Sequence, residues 1–193
     1  MANAREILSR MKSVQDTRKI TNAMYLISST KLKKSKKLLE ETEPYFYSLQ
    51  DLIRRILRHM PDVEHFYFNP RKEIKEEDRV KGLIVITGDK GLAGAYNHNV
   101  LKMAQEWMEQ SKNHRLYVVG ELGRHYFEAR HIQVEEQFHY TVQNPTMHRA
   151  RLISSTILED YEEGRLDEVW IIYTQMMNSM QMEAEMTELL PLK

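Results

Sequence analysis

The chain has 193 residues, no cysteine and a formal net charge of zero. That length fits one domain with room for an appendage, and the absence of cysteine excludes disulfides, thiolate metal sites and cysteine nucleophiles. The longest aliphatic run, Leu83-Ile84-Val85-Ile86, is far short of the roughly 20 apolar residues of a membrane span. Met1 to Lys12 is charged and amphipathic and carries no apolar signal core, so the chain reads as cytoplasmic.

The zero charge hides a polarity. Met1 to Met60 holds thirteen Lys and Arg against six Asp and Glu, and the remainder carries the compensating acidic excess. A basic segment joined to an acidic one predicts partners of opposite sign at the two ends. Glycine divides the chain at nearly the same place: the first 81 residues have none, and all seven fall between Gly82 and Gly164. Glycine releases helices, because it alone enters the left-handed region without steric cost. The first part, rich in Lys, Arg, Leu, Met, Glu and Ala, therefore reads as extended helix.

In chain order, residues 1–60 form a helical arm. Ala4, Ile7, Met11 and Val14 recur in steps of three and four, which is a coiled-coil seam. Leu8, Ile20, Ala23, Met24, Leu26 and Ile27 extend the apolar surface with a shift of phase after Val14. Pro44 removes an N–H and should kink or end the helix. A second amphipathic stretch, Tyr45, Leu49, Leu52, Ile53, Ile56 and Leu57, continues it as a bent helix to about Met60. Lys31, Lys33, Lys34, Lys36 and Lys37 cluster five cations with no interleaved aromatic. Three readings stand for them: a docking patch for an anionic protein surface or lipid headgroups, a solvated helix face, or a nucleic-acid grip. Residues 61–78 read as a linker loop.

Residues 79–193 read as an α/β domain. Buried strands are expected at Arg79–Thr87, Leu116–Val119 and Val169–Tyr173, and a strand-like segment at Ile132–Phe138. Helices are expected from about Asn99 to Gln110, from Gly120 to Arg130, and from Asn144-Pro-Thr to about Glu163, where Gly164 supplies a left-handed stop. From Ser179 to Leu190, Met180, Met182, Ala184 and Met186 alternate with Gln181, Glu183, Glu185 and Thr187, the pattern of an edge strand with one wet side. Strand–helix–strand alternation predicts a Rossmann-like, mostly parallel sheet with flanking helices.

Catalytic signals are sparse. The loop Thr87-Gly-Asp-Lys-Gly-Leu-Ala-Gly-Ala-Tyr-Asn97 follows the first strand, but its glycines at 88, 91 and 94 match neither G-x-G-x-x-G nor G-x-x-x-x-G-K-[ST]. The eight histidines include no H-E-x-x-H, and Ser154 and Ser155 lie in no nucleophile elbow. Glu159, Asp160, Glu162 and Glu163 read as a wet helix face. Met176, Met177, Met180, Met182 and Met186 read as core or interface packing.

The block Arg5-Glu-Ile-Leu-Ser-Arg-Met-Lys-Ser-Val-Gln-Asp-Thr-Arg-Lys-Ile-Thr-Asn-Ala-Met24, with Lys31-Leu32 and Pro44-Tyr45, resembles the N-terminal helix of the gamma subunit of F-type ATP synthases. Asp89-Lys-Gly-Leu-Ala-Gly94 with Asn97 is similar to that family's glycine loop. Glu163-Gly-Arg-Leu-Asp167 and Leu189-Leu-Pro-Leu192 resemble two further landmarks in the same order. Tyr25 departs from the acidic residue usual after the family's methionine, and Ile27-Ser-Ser-Thr30 stands for a small-residue stretch. The family's long C-terminal helix, which pairs with the N-terminal one, would lie beyond Lys193.

The resemblance implies a non-catalytic central-stalk (rotor) subunit, peripheral at the cytoplasmic face of the membrane, with no cofactor and no metal. Its implied partners are the alpha and beta subunits of the catalytic hexamer, the epsilon subunit and the membrane-embedded c-ring, with no nucleic acid. Ile7, Met11, Val14, Ile20, Met24 and Ile27 would form the partner-helix seam. Arg10, Lys12, Arg18 and Lys19 would meet the hexamer, and the five lysines from Lys31 to Lys37 the ring. The alternatives are a nucleotide- or flavin-binding α/β enzyme domain and a basic-helix module for nucleic acid.

Overall fold

The computed structural model describes residues 2–60, 65–69, 71–138, 142, 144–178 and 181–192. It divides the chain into two units, Met1–Pro61 and Asp62–Lys193.

The first unit is one helix, α1 (Ala2–His59), with Pro44 inside it. The helix passes through the proline and does not end there. Pro44 deletes one backbone donor, and its neighbours Thr42, Tyr45, Phe46 and Tyr47 are weak helix formers, but Leu38-Leu-Glu-Glu41 before it favours helix and no glycine offers an exit before Gly82. Hydroxyls along the helix turn back on the preceding turn: Thr17 donates to the Ser13 carbonyl (2.9 Å), Thr30 to Leu26 (2.9 Å) and Ser48 to Pro44 (2.8 Å). Such bonds occupy side chains that would otherwise compete for the helical backbone.

The second unit alternates strand and helix: β1 (Lys81–Ile86), α2 (Tyr96–Gln110), β2 (His114–Val119), α3 (Glu121–Glu128), β3 (Glu136–Phe138), α4 (Met147–Glu162), β4 (Glu168–Met176) and β5 (Met182–Leu190). The five strands run in the order β3-β2-β1-β4-β5. β1, β2, β3 and β4 pair in parallel, with Leu83 opposite Leu116 and Trp170, and β5 returns antiparallel to β4. This is the mostly parallel Rossmann-like sheet that the alternation of elements called for.

Period-two alternation sends neighbouring β1 residues to opposite faces. Leu83 and Val85 join Val100, Leu101 and Ala104 of α2 and Phe127 of α3. Ile84 joins Tyr117, Val169, and Ile157 and Tyr161 of α4. Each fully buried aliphatic side chain contributes about 1.5–3 kcal/mol of transfer free energy.

Several bounds differ from the sequence reading. The third strand is only Glu136–Phe138, because Ile132 and Val134 pack against the α2–α3 core from a loop. α2 begins at Tyr96, before Asn99, and α3 is shorter than its expected span of 120–130. α4 opens on Thr146, whose hydroxyl accepts from the Arg149 N–H, and it stops before Gly164 (φ +74°). Ser179 and Met180, expected at the start of the edge strand, lie outside the described residues, as do Pro61 and Pro70.

Two 3-10 turns, Phe66–Phe68 and Glu76–Asp78, occupy part of the segment expected as linker, which is fastened to the start of β4. Arg71 pairs with the buried Asp167 (2.7 Å), donates to the Tyr161 carbonyl (2.7 Å), and lies over the Tyr161 ring. Arg79 pairs with Glu168 (3.0 Å), which also faces Lys81 (3.6 Å). Asp167 accepts the Val80 N–H at 2.8 Å. Burial pushes the Glu168 carboxyl up. The Trp170 indole N–H, the Arg79 guanidinium and the Lys81 charge outweigh burial and hold it below its ordinary value of 4.5.

Gly120 joins β2 to α3 at φ +101°, and a Cβ there would lie 2.2 Å from the Thr87 carbonyl oxygen. Strain and overlap act together, so Gly120→Ala should cost about 3 kcal/mol or more in urea unfolding. Gly91→Ala, with open space around it, should cost much less. Glu168→Gln should lower stability by about 2 kcal/mol at pH 7. A carboxyl held below its ordinary value stabilises the fold above that value, and the contribution fades as pH falls through the folded value. The gap between wild type and Glu168→Gln should therefore close as unfolding midpoints are followed from pH 7 to below 4.5.

Candidate functional site

Two features of the chain could engage other molecules: the surface of α1 and the glycine loop after β1. On α1 only Ser29, Lys36, Gln50, Ile53 and Leu57 are half-buried, and every other described side chain is exposed. Ile7 is 53%, Val14 67% and Ile20 63% exposed, although these are among the most apolar residues of the arm.

An unbroken helix fixes which of them share a face. At about 100° per residue, Ile7, Met11 and Val14 fall within about 60° of one another, and so do Ile20, Met24 and Ile27. The two groups are centred about 140° apart. The six seam residues therefore make two stripes on different faces, not one.

Two of the four expected hexamer contacts have partners within the helix: Arg10 pairs with Glu6 (2.8 Å) and Lys19 with Asp16 (3.5 Å). Lys12 and Arg18 are exposed. Of the lysine cluster, Lys37 faces Glu41 at 3.8 Å and Lys36 is half-buried. Lys33, Lys34, Lys36 and Lys37 spread over about 160° of the circumference, and Lys31 lies on the Met24 side. The cations thus cover about 220° of the helix circumference and do not form one flat patch.

The glycine loop is pinned at its base. Thr87 is fully buried, and its hydroxyl donates to the Val119 carbonyl (3.1 Å) and accepts the Gly123 N–H (2.9 Å). The Gly88 carbonyl accepts the Leu122 N–H (3.1 Å), and Asp89 accepts the Glu121 N–H (3.2 Å). Asn97 reaches back to accept the Gly88 N–H at 2.7 Å. The loop thereby caps the first turn of α3. A phosphate cradle needs free backbone N–H groups, and the Gly88 donor is already engaged. At the apex, Leu92 has φ +63° and is 93% exposed. A bulky residue in that region is a backbone outlier, held here on a well-bonded base. Leu92 stands in the family-like block Asp89-Lys-Gly-Leu-Ala-Gly94, but nothing in that block marks it as the residue with positive φ.

Of the methionines expected as core or interface, Met176 is half-buried, Met177, Met182 and Met186 are 55%, 59% and 39% exposed, and Met180 lies outside the described residues. Among the described residues no cluster of three or more His, Asp or Glu could hold a metal ion. Tyr117 is buried, and burial with its bond to the Asp160 carboxylate raises its phenol. Arg165 holds Asp160 at 2.6 Å. This group closes the end of α4 on β2.

A family model described as ATP synthase matches residues 3–193. The chain is 45% identical to the ATP synthase gamma chain of Acetivibrio thermocellus over 193 residues, all of this chain and 65% of that one. It is also 45% identical to the ATP synthase gamma chain of Ruminiclostridium cellulolyticum over 192 residues, 99% of this chain and 65% of that one. Among solved structures it is similar in fold to a chain of the central stalk and c-ring of the Tetrahymena thermophila mitochondrial ATP synthase, with TM-score 0.68 and 22% identity, covering 89% of this chain and 72% of that one. The chain spans about 65% of the length of these curated relatives. With the family pattern running through both the arm and the α/β unit, the chain belongs to the ATP synthase family as a gamma chain.

Proposed function

We propose that the chain serves as the central-stalk rotor subunit of an F-type ATP synthase and couples rotation of the membrane ring to changes of nucleotide affinity in the catalytic hexamer. The observation that carries this reading is α1: 58 residues of continuous helix with its apolar side chains in water. A shaft needs stiffness and grip. At ~1.5 Å per residue such a helix extends about 87 Å, and a run without glycine has no hinge of that kind.

On this reading one apolar stripe takes a partner helix and the other faces the surrounding subunits, while Arg10, Lys12, Arg18 and Lys19 meet loops of the alpha and beta subunits. The lysines from Lys31 to Lys37 approach the c-ring, and the α/β unit docks the epsilon subunit. The chemistry belongs to the hexamer, and this chain holds no catalytic residue. No described helix is long and apolar enough to cross a membrane, which fits a peripheral subunit at the cytoplasmic face. Neither a nucleotide site nor a nucleic-acid grip gains a specific observation: the Gly88 N–H at the loop base is taken by Asn97, and the lysines spread over about 220° of the helix with no interleaved aromatic.

Reconstitution tests the proposal. Mixed with purified alpha and beta subunits at ~1 μM, the chain should co-elute with the hexamer and change its ATPase rate. Ile7→Asp with Met11→Asp should weaken co-elution at least tenfold, or about 1.4 kcal/mol. Full-strength assembly by the double variant, or no co-elution of the parent chain, would overturn the reading.

A further inference from the structure

β5 ends the sheet. Among the described residues it pairs on one side only, with β4. The β4–β5 ribbon also outruns the parallel sheet: β1 pairing stops at Val85 opposite Ile172, whereas β4–β5 pairing continues from Ile172 opposite Met186 to Met176 opposite Met182. The register shift lies at the far end, between Val169 and Trp170, so Met182 to Glu188 stay in regular register. Edge strands are usually blunted by lysine, proline, shortness or a central bulge. β5 is nine residues long, contains no proline, lysine or arginine, and carries only negative charge, at Glu183, Glu185 and Glu188, so its edge is guarded against a like-charged strand but open to a basic one.

Its two faces differ. Ala184 packs against the core of Leu83 and Val100, which puts Met182 and Met186 on the same side, 59% and 39% exposed. Glu183 and Glu185 occupy the other side. Glu185 accepts from the Tyr173 hydroxyl at 3.4 Å and Glu183 from the Gln181 amide at 2.5 Å. Neither has an ion-pair partner among the described residues. Residues two apart on a strand are about 6.6 Å apart on one face, so these two carboxylates present a repeating negative charge beside an open backbone edge.

We propose that β5 accepts an extended segment of a partner protein as an added strand, and that this segment alternates basic with apolar residues. Main-chain bonds to the free edge supply affinity. The basic positions meet Glu183 and Glu185, and the apolar ones lie beside Met182 and Met186. The proposal stands on this edge and does not require the rotor reading.

A ten-residue peptide alternating lysine and valine is the probe, with a second version N-methylated at every residue so that it keeps its charge but offers no backbone N–H to either edge. The parent peptide should slow amide exchange at outward-facing positions of β5 at least tenfold, and the N-methylated peptide should not. By fluorescence polarisation, the Glu183→Lys, Glu185→Lys double variant should bind the parent peptide at least tenfold more weakly. Glu183→Gln with Glu185→Gln should show a smaller loss in the same direction, and it carries the test if the lysine variant fails to fold. Unchanged exchange in β5, equal protection by the N-methylated peptide, or equal binding by the glutamine variant would overturn the proposal.

Discussion

Most of the apolar side chains of α1 stand in water, and that is the constraint from which the rest follows. Helix propensity alone leaves an isolated helix marginal, because helical stability in proteins comes mainly from burying an apolar face. Ile7, Met11, Val14, Ile20 and Leu26 are each more than half exposed. A long run of such residues marks an interaction surface. The second unit is in the opposite condition. Its sheet is covered on both faces, and Leu83, Val85, Val118, Val169 and Ile172 are essentially inaccessible. One unit buries a core of its own, and the other leaves most of its apolar side chains in water.

The second unit is also well fastened. Thr87, Gly88 and Asp89 hold the start of α3, and Gly120 has no Cβ where the Thr87 carbonyl passes. Arg71 and Arg79 tie the segment before β1 to Asp167 and Glu168 at the start of β4. Buried ion pairs give little net stability but are costly to break. They therefore fix one arrangement of the strand ends more than they deepen the well. On the proposed reading such fastening suits a part that transmits force, because load applied at one element would not be absorbed by slack in the next.

Much of this was legible in the sequence, for identifiable reasons. Glycine distribution separates helix from α/β, since only the second part needs left-handed turns. The Met–Glu alternation after Gln181 reads directly as an edge strand, and the structure places it there, antiparallel to β4. The ion pairs were not legible, because Arg71 and Asp167 are 96 positions apart and nothing local distinguishes Arg71 from the charges around it. Ile132 and Val134 misled because apolar alternation also suits a loop that packs on a core. Pro44 was legible as a disturbance, but its outcome depended on how strongly the flanking residues hold a helix.

The division of the arm into two stripes needed the structure, because only an unbroken helix between Val14 and Ile20 converts spacing into angle. Its consequence is geometric. A single partner helix follows a seam, and supercoiling lets that seam drift by only about 20° per heptad. Val14 and Ile20 are less than one heptad apart, yet their stripes lie about 140° apart. One neighbour therefore cannot cover both without leaving its own seam. On the proposed reading the arm is held from two sides near its start, by a companion helix on one face and by the surrounding subunits on the other. That arrangement resists bending in more directions than one coiled-coil partner could.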